Sequence, residues 1–131
     1  MSFDVKKVEG YRNFCNKLWN AGQYVLSKIE NKDSKQILDA KVNLDVNKWI
    51  QSELLACIRA VDFAMETFRF DLAVKAIYEF VWNEFCDWYL ELTKPVLQSD
   101  ESLEKEKNET KKTLITVIEN VLRLIHPFTP F

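Results

Sequence analysis

The segment Tyr11–Asn20, YRNFCNKLWN, packs Arg12, Lys17, Trp19 and three asparagines into ten residues. These are side chains suited to nucleic-acid bases. Guanidinium and ammonium groups meet phosphate, carboxamides donate to and accept from base edges, and an indole offers a stacking face. Asn13, Asn16 and Asn20 step by three and four, so on a helix they line one face. Asparagine inside a helix costs roughly 0.5 kcal/mol relative to alanine, because its short amide competes for nearby backbone groups. Three of them in eight positions call for an offsetting role: base recognition, or amides that tie this helix to a neighbour. A second row, Asn83, Asp87, Glu91 and Lys94, lies in YEFVWNEFCDWYLELTKP with Trp82, Trp88 and Tyr89 beside it. An indole-rich helix is more often core than platform, so Trp82 and Trp88 are expected to pack.

Other chemistries do not assemble. Glu84, Asp87 and Glu91 suggest a di-metal bundle, but that site needs Glu-x-x-His from each of two helices. The chain has a single histidine, His126, just before a proline. Nothing in the sequence brings His126 to a cysteine, and there is no glycine-rich phosphate loop. No catalytic residue and no metal ligand is therefore assigned. Cys15, Cys57 and Cys86 are odd in number, widely spaced and set in apolar helical patterns, which reads as buried free thiols in a reducing compartment.

The net charge of −2 excludes binding nucleic acid through a general basic coat, so any RNA contact must be local. The charge is also uneven: residues 1–30 carry five Lys/Arg against three acids, while 71–94 carry five acids against two lysines. There is no signal peptide, and no apolar run reaches the roughly 18 residues of a membrane span. A cytoplasmic chain with no membrane and no DNA partner is expected.

The elements that would position these rows follow from apolar spacing. Two glycines and three prolines in 131 residues favour long helices over sheet. Val8, Tyr11, Cys15, Leu18, Gly22, Val25 and Ile29 mark one stripe on a helix from Val5 to Ile29. Gly22 on that stripe would let another helix come close. Residues 31–44 read as a connecting loop. A second helix, with Asp45 as N-cap, carries Ile50, Leu54, Cys57, Val61, Met65 and Phe68. A third runs from Asp71 to Thr93, is apolar nearly all round and therefore central, and ends at Pro95. The charged tract QSDESLEKEKNETKK reads as a solvated loop or first helical turn. From it grows a fourth helix with Leu114, Val117, Val121, Leu124 and Ile125 inward, stopping at His126-Pro127. The expected fold is all-α, an up-down-up-down bundle of four main helices.

Three stretches closely resemble the anticodon-binding domain of bacterial-type valyl-tRNA synthetases. They are VEGYRNFCNKLWNA (Val8–Ala21), FRFDLAVKAIYEFVWNEFCDWYLELTKPVL (Phe68–Leu97) and TLITVIENVLRLIHPFTPF (Thr113–Phe131). NKWIQSEL (Asn47–Leu54) resembles the family's segment between the first two. The resemblance covers nearly all of the chain and implies a class Ia helical domain, residues 1–131, excised from a larger synthetase. It implies that the chain docks the anticodon stem-loop of valine tRNA and supports an ATP-dependent ligation performed elsewhere in the parent enzyme. Position by position, it assigns tRNA contact to Lys6, Arg12, Asn13, Asn16, Lys17, Trp19 and Asn20, and also to Trp82, Asn83 and Asp87. Lys6, Arg12 and Lys17 would hold phosphate or a base edge, and the asparagines would read bases or brace the loop. The family's two ATP-binding signatures are not found here. ATP and Mg are therefore expected in the parent enzyme rather than in this portion, which would be inactive alone. A helical scaffold that binds another protein is the alternative reading. A domain cut from its neighbours would also expose apolar surface and tend to self-associate.

Overall fold

The three-and-four apolar spacing is realised as helices throughout the computed structural model, which describes residues 5–29 and 34–128. In chain order these are α1 (Val5–Ser27), α2 (Ser34–Asp39), α3 (Asp45–Glu66), α4 (Phe70–Glu79), a π-helical segment (Phe80–Tyr89), α5 (Leu90–Gln98) and α6 (Glu104–Ile125). A short 3-10 turn, His126–Phe128, follows. No strand occurs among the described residues. Phe14 stacks on Tyr78, Lys17 meets Asp87, and Tyr24 meets Thr93, so α1 runs parallel to the α4–α5 rod. The α3–α4 hairpin runs antiparallel, with the Cys57 thiol donating to the Ala76 carbonyl. The order is up, down, up, down, as the periodicity indicated. The α4–α5 rod is central, touching α1, α3 and α6.

The core is built from Ile50, Leu54, Cys57 and Val61 of α3, Ile77, Phe80, Val81 and Phe85 of the rod, and Leu114, Val117 and Val121 of α6. These are the residues that the stripes of α3, the rod and α6 placed inward. Helix α1 is rolled relative to its expected stripe. Ala21 and Val25 are buried and Phe14 and Leu18 pack on the core, whereas Tyr11 is 59% exposed and Cys15 also faces out. Cys15 is thus not a buried thiol, although Cys57 and Cys86 are. The side chain of Val8 lies outside the described residues.

Several boundaries differ from the sequence reading. Residues 34–39, read as loop, form α2 with Ile37 buried. Pro95 does not end the rod, which continues to Gln98. Proline removes one hydrogen bond, but Pro95 is exposed and the extra turn packs Leu97 on the core, which offsets that loss. The tract from Gln98 to Lys112 is not wholly solvated: Glu109 and Thr110 are 2% and 1% exposed. Their burial has a clear cause. The N-cap of α3 is Leu44 rather than Asp45, and Leu44 has no capping side chain. Glu109 supplies the cap from α6, its carboxyl oxygens accepting the N–H groups of Asn43 (3.0 Å) and Leu44 (2.7 Å). Asn47, fully buried, donates to Glu109 (2.8 Å) and Thr110 (3.1 Å) and accepts from the Tyr89 hydroxyl. Burial pushes the Tyr89 phenol well above its usual range. Lys112 donates to the carbonyls of Leu38 and Ala40, both at 2.9 Å, which pins the end of α2 to the same helix.

The α3 stripe was expected to end on Phe68, yet that side chain is 79% exposed. Phe68 has φ 58°, in the left-handed region. Arg69 N–H bonds to Ala64 carbonyl (2.7 Å) and Phe68 N–H to Met65 carbonyl (3.2 Å), the paired pattern of a Schellman stop in which glycine is the usual residue. A phenylalanine there is strained by about 1–2 kcal/mol, part of which glycine would return as unfolded-chain entropy. Phe68→Gly is therefore expected to raise stability by about 0.5–1 kcal/mol. Urea unfolding checks this, and an unchanged or lower midpoint would show that the Phe68 ring contributes more than its backbone costs.

Candidate nucleic-acid interface

Viewed down α1, at about 100° per residue, the core side is centred on Phe14, Ala21 and Val25. Arg12, Asn13, Asn16 and Asn20 lie away from it, and all are exposed. Among the described residues none of them makes a side-chain hydrogen bond or ion pair, so their donors and acceptors face solvent unspent. The amides do not tie α1 to a neighbour. Lys6 is also exposed, at the start of the same helix.

Lys17 behaves differently. Its ammonium sits 2.5 Å from Asp87 Oδ1 and 4.0 Å from the centre of the Trp82 ring, and its side chain is only 25% exposed. Trp82 in turn stacks on Tyr78 (5.4 Å, 17°), and Tyr78 on Phe14 (5.3 Å, 26°). The result is a column of three rings topped by a cation, running between α1 and the rod. Trp82 packs, as its composition suggested, and Lys17 is a brace between helices.

The π-helical segment explains how Trp82 and Asp87 reach the same lysine. In an α-helix, residues five apart diverge by about 140°. In the π segment the bonds run from i to i−5, as from Leu90 N–H to Phe85 carbonyl, so residues five apart share a side. The same shift turns Trp88 outward: it is 64% exposed, against the expectation that it packs. Asn83 is exposed, and Asp87 is exposed but held by Lys17. Further along the row Lys94 pairs with Glu91 at 2.7 Å, which raises the lysine's proton affinity. The Glu84 Oε2 atom is buried without a hydrogen-bond partner among the described residues. No group of three or more His, Cys, Asp or Glu could hold a metal ion among the described residues. Trp19, 68% exposed, stands at the rim of an apolar groove beside Tyr11 and Leu26.

The chain as a whole has counterparts among known proteins. The family model described as the anticodon-binding domain of tRNA ligase matches residues 47–131. The chain belongs to the anticodon-binding domain family of tRNA ligases. It is 50% identical over 132 residues to the valine–tRNA ligase of Legionella pneumophila (strain Lens), covering 98% of this chain and 14% of that protein. It is 47% identical over 131 residues to the valine–tRNA ligase of Acinetobacter baylyi, covering 100% of this chain and again 14% of the relative. The chain thus spans about 14% of the length of these curated relatives. Helix α1 lies outside the family match, so the ridge falls in the part covered by the relatives alone. No helix among the described residues is long and apolar enough to cross a membrane.

Proposed function

We propose that this anticodon-binding-family chain grips the anticodon stem-loop of valine tRNA as one domain of a cytoplasmic, ATP-dependent valine–tRNA ligase. The observation that carries the reading is the α1 ridge. Arg12, Asn13, Asn16 and Asn20 face solvent without side-chain partners among the described residues, on a helix that alanine would stabilise. Unpaired anticodon bases present donors, acceptors and stacking faces, and this ridge offers the complements locally on a chain of net charge −2. Arg12 reaches phosphate or a base edge, the asparagines read bases, and Lys6 adds cationic reach. Lys17, committed to Asp87 and Trp82, acts by holding α1 at a fixed angle to the rod. Asn83 extends the surface beyond that brace, and Trp19 bounds it on the opposite flank. On this reading ATP and Mg belong to the remainder of the parent enzyme, and no step is routed through them here.

Titration of a valine-type anticodon stem-loop tests the reading. Binding is expected to be tighter than to a stem-loop with an altered middle anticodon base, and to weaken as salt rises. Equal, salt-insensitive failure with both, the protein remaining helical, would favour a scaffold that binds protein instead.

A further inference from the structure

Trp88 holds its indole in water on the outer face of the rod, and Leu92 and Pro95, both exposed, follow it at spacings of four and three. A tryptophan so placed forgoes the burial that usually draws this side chain inward. Its exposure is a product of register. Phe80–Tyr89 is ten residues of π-helix, a form seldom longer than one turn and concentrated at functional sites. The same register brings Asn83, five residues earlier, to the side that carries Trp88. Asn83 is exposed, and neither its amide nor the Trp88 N–H has a hydrogen-bond partner among the described residues. An aromatic face and a carboxamide are thus displayed together, the first able to stack and the second able to read an edge.

The surroundings select the kind of ligand. Residues 79–91 hold four acids, which unpaired would repel a phosphate backbone. Three of them are matched by lysines: Glu79 by Lys75 at 4.0 Å, Asp87 by Lys17 at 2.5 Å and Glu91 by Lys94 at 2.7 Å. The fourth, Glu84, turns one carboxyl oxygen inward. Both lysines of the rod are spent on these pairs, so beside Trp88 the rod offers phosphate little and a base a great deal. The patch also adjoins the α1 ridge. Asn13 and Asn20 stand about 40° and 60° round α1 from Lys17, on the side away from the core. Lys17 is the residue that meets Asp87, so the near edge of the ridge and the outer row of the rod join across that ion pair.

We infer that Trp88 is a stacking platform for one unpaired nucleobase of the stem-loop, with Asn83 bonding to that base's edge. The inference rests on the proposed function and adds to it a second contact surface, on the rod, where base rather than phosphate is held. Every base has a π-face, so the indole supplies affinity, and the carboxamide supplies a preference for base identity. Phosphate is left to Arg12 on α1.

Binding of the valine-type stem-loop is compared for the parent protein, Trp88→Leu and Trp88→Phe, using the intact loop and a series in which each loop nucleotide in turn is made abasic. Trp88→Leu is expected to weaken binding of the intact loop by on the order of 10-fold, while Trp88→Phe, which keeps a ring, stays close to the parent. Helicity should be unchanged in both, since Trp88 is already exposed. The deciding readout is a single loop position. There, removal of the base should cost the parent on the order of 10-fold and the Trp88→Leu protein less than about twofold, because the stack is already gone. A merely structural role for Trp88 would weaken every loop alike and single out no position. Asn83→Ala should narrow the preference among the four bases at that same position. Losses that add at every position would overturn the inference. Equal binding of the intact loop by the parent and Trp88→Leu would assign the strip to a protein contact, and would sink this inference while leaving the proposed function standing. Failure of the parent to bind any loop would sink both.

Discussion

Glu109→Ala is expected to lower stability by about 3–6 kcal/mol, a large share of what a domain of this size holds. The Glu109 carboxyl accepts three donors in a site that is 2% exposed: the Asn43 and Leu44 N–H groups and the Asn47 side-chain amide. Each donor left unpaired in the interior costs about 1–3 kcal/mol, and a domain of this size holds only about 5–15 kcal/mol in total. The loss does not stop at those donors. Asn47 also accepts from Tyr89 of the rod, so three segments lose their mutual register at one end of the bundle. Glu109→Gln makes the argument sharper. It keeps the shape but turns one oxygen into an NH2 group facing an N–H donor, and should cost about 2–3 kcal/mol. Urea denaturation followed by circular dichroism reads both, with a lowered midpoint at unchanged slope. A Glu109→Ala protein within about 1 kcal/mol of the parent would show that water replaces the carboxyl, and that the site is less closed than its burial indicates.

The second large effect is on RNA. Arg12→Ala together with Asn16→Ala is expected to weaken stem-loop binding by on the order of 100-fold, since each contact of this kind is worth about 1–3 kcal/mol. The two arms differ in character. If Arg12 meets phosphate, its removal weakens all stem-loops alike and lowers the salt slope by about one. Asn16→Ala should narrow the gap between the valine stem-loop and its altered middle-base counterpart. Stability should move the other way. Asparagine to alanine on an exposed helix face gains roughly 0.5 kcal/mol, so the protein lacking Asn16 is expected to be slightly more stable and a poorer binder. That opposition separates a functional residue from a structural one. A substitution that lowered helicity and binding together would instead place Asn16 in the framework.

Much of the architecture was present in the order of residues. Ile50, Leu54, Cys57 and Val61 repeat at helical spacing and are buried, as are Leu114, Val117 and Val121, because a helix has one way to hide such a stripe. The scarcity of glycine and proline and the stop at His126-Pro127 were equally local signals, and the quoted motifs alone carried the family. The Asn13, Asn16 and Asn20 row was legible as an outward face for the same reason: polar groups on the side opposite an apolar stripe are left in water.

What local periodicity could not supply was decided by packing. The roll of α1, which buries Ala21 and bares Tyr11 and Cys15, depends on which of two adjacent apolar faces finds the rod, and both satisfy the same spacing. The π-helical register sets Trp82 and Asp87 on one lysine and turns Trp88 outward, against an expectation drawn at 3.6 residues per turn. Glu109 looked like part of a solvated charge run because nothing in its neighbours announces that a helix starting 65 residues earlier, at Leu44, lacks its own cap. One-dimensional pattern thus determined which residues form helices and which faces are apolar. Only the folded chain decided which partner each face meets and which polar groups are spent internally, because those depend on contacts between residues far apart in sequence.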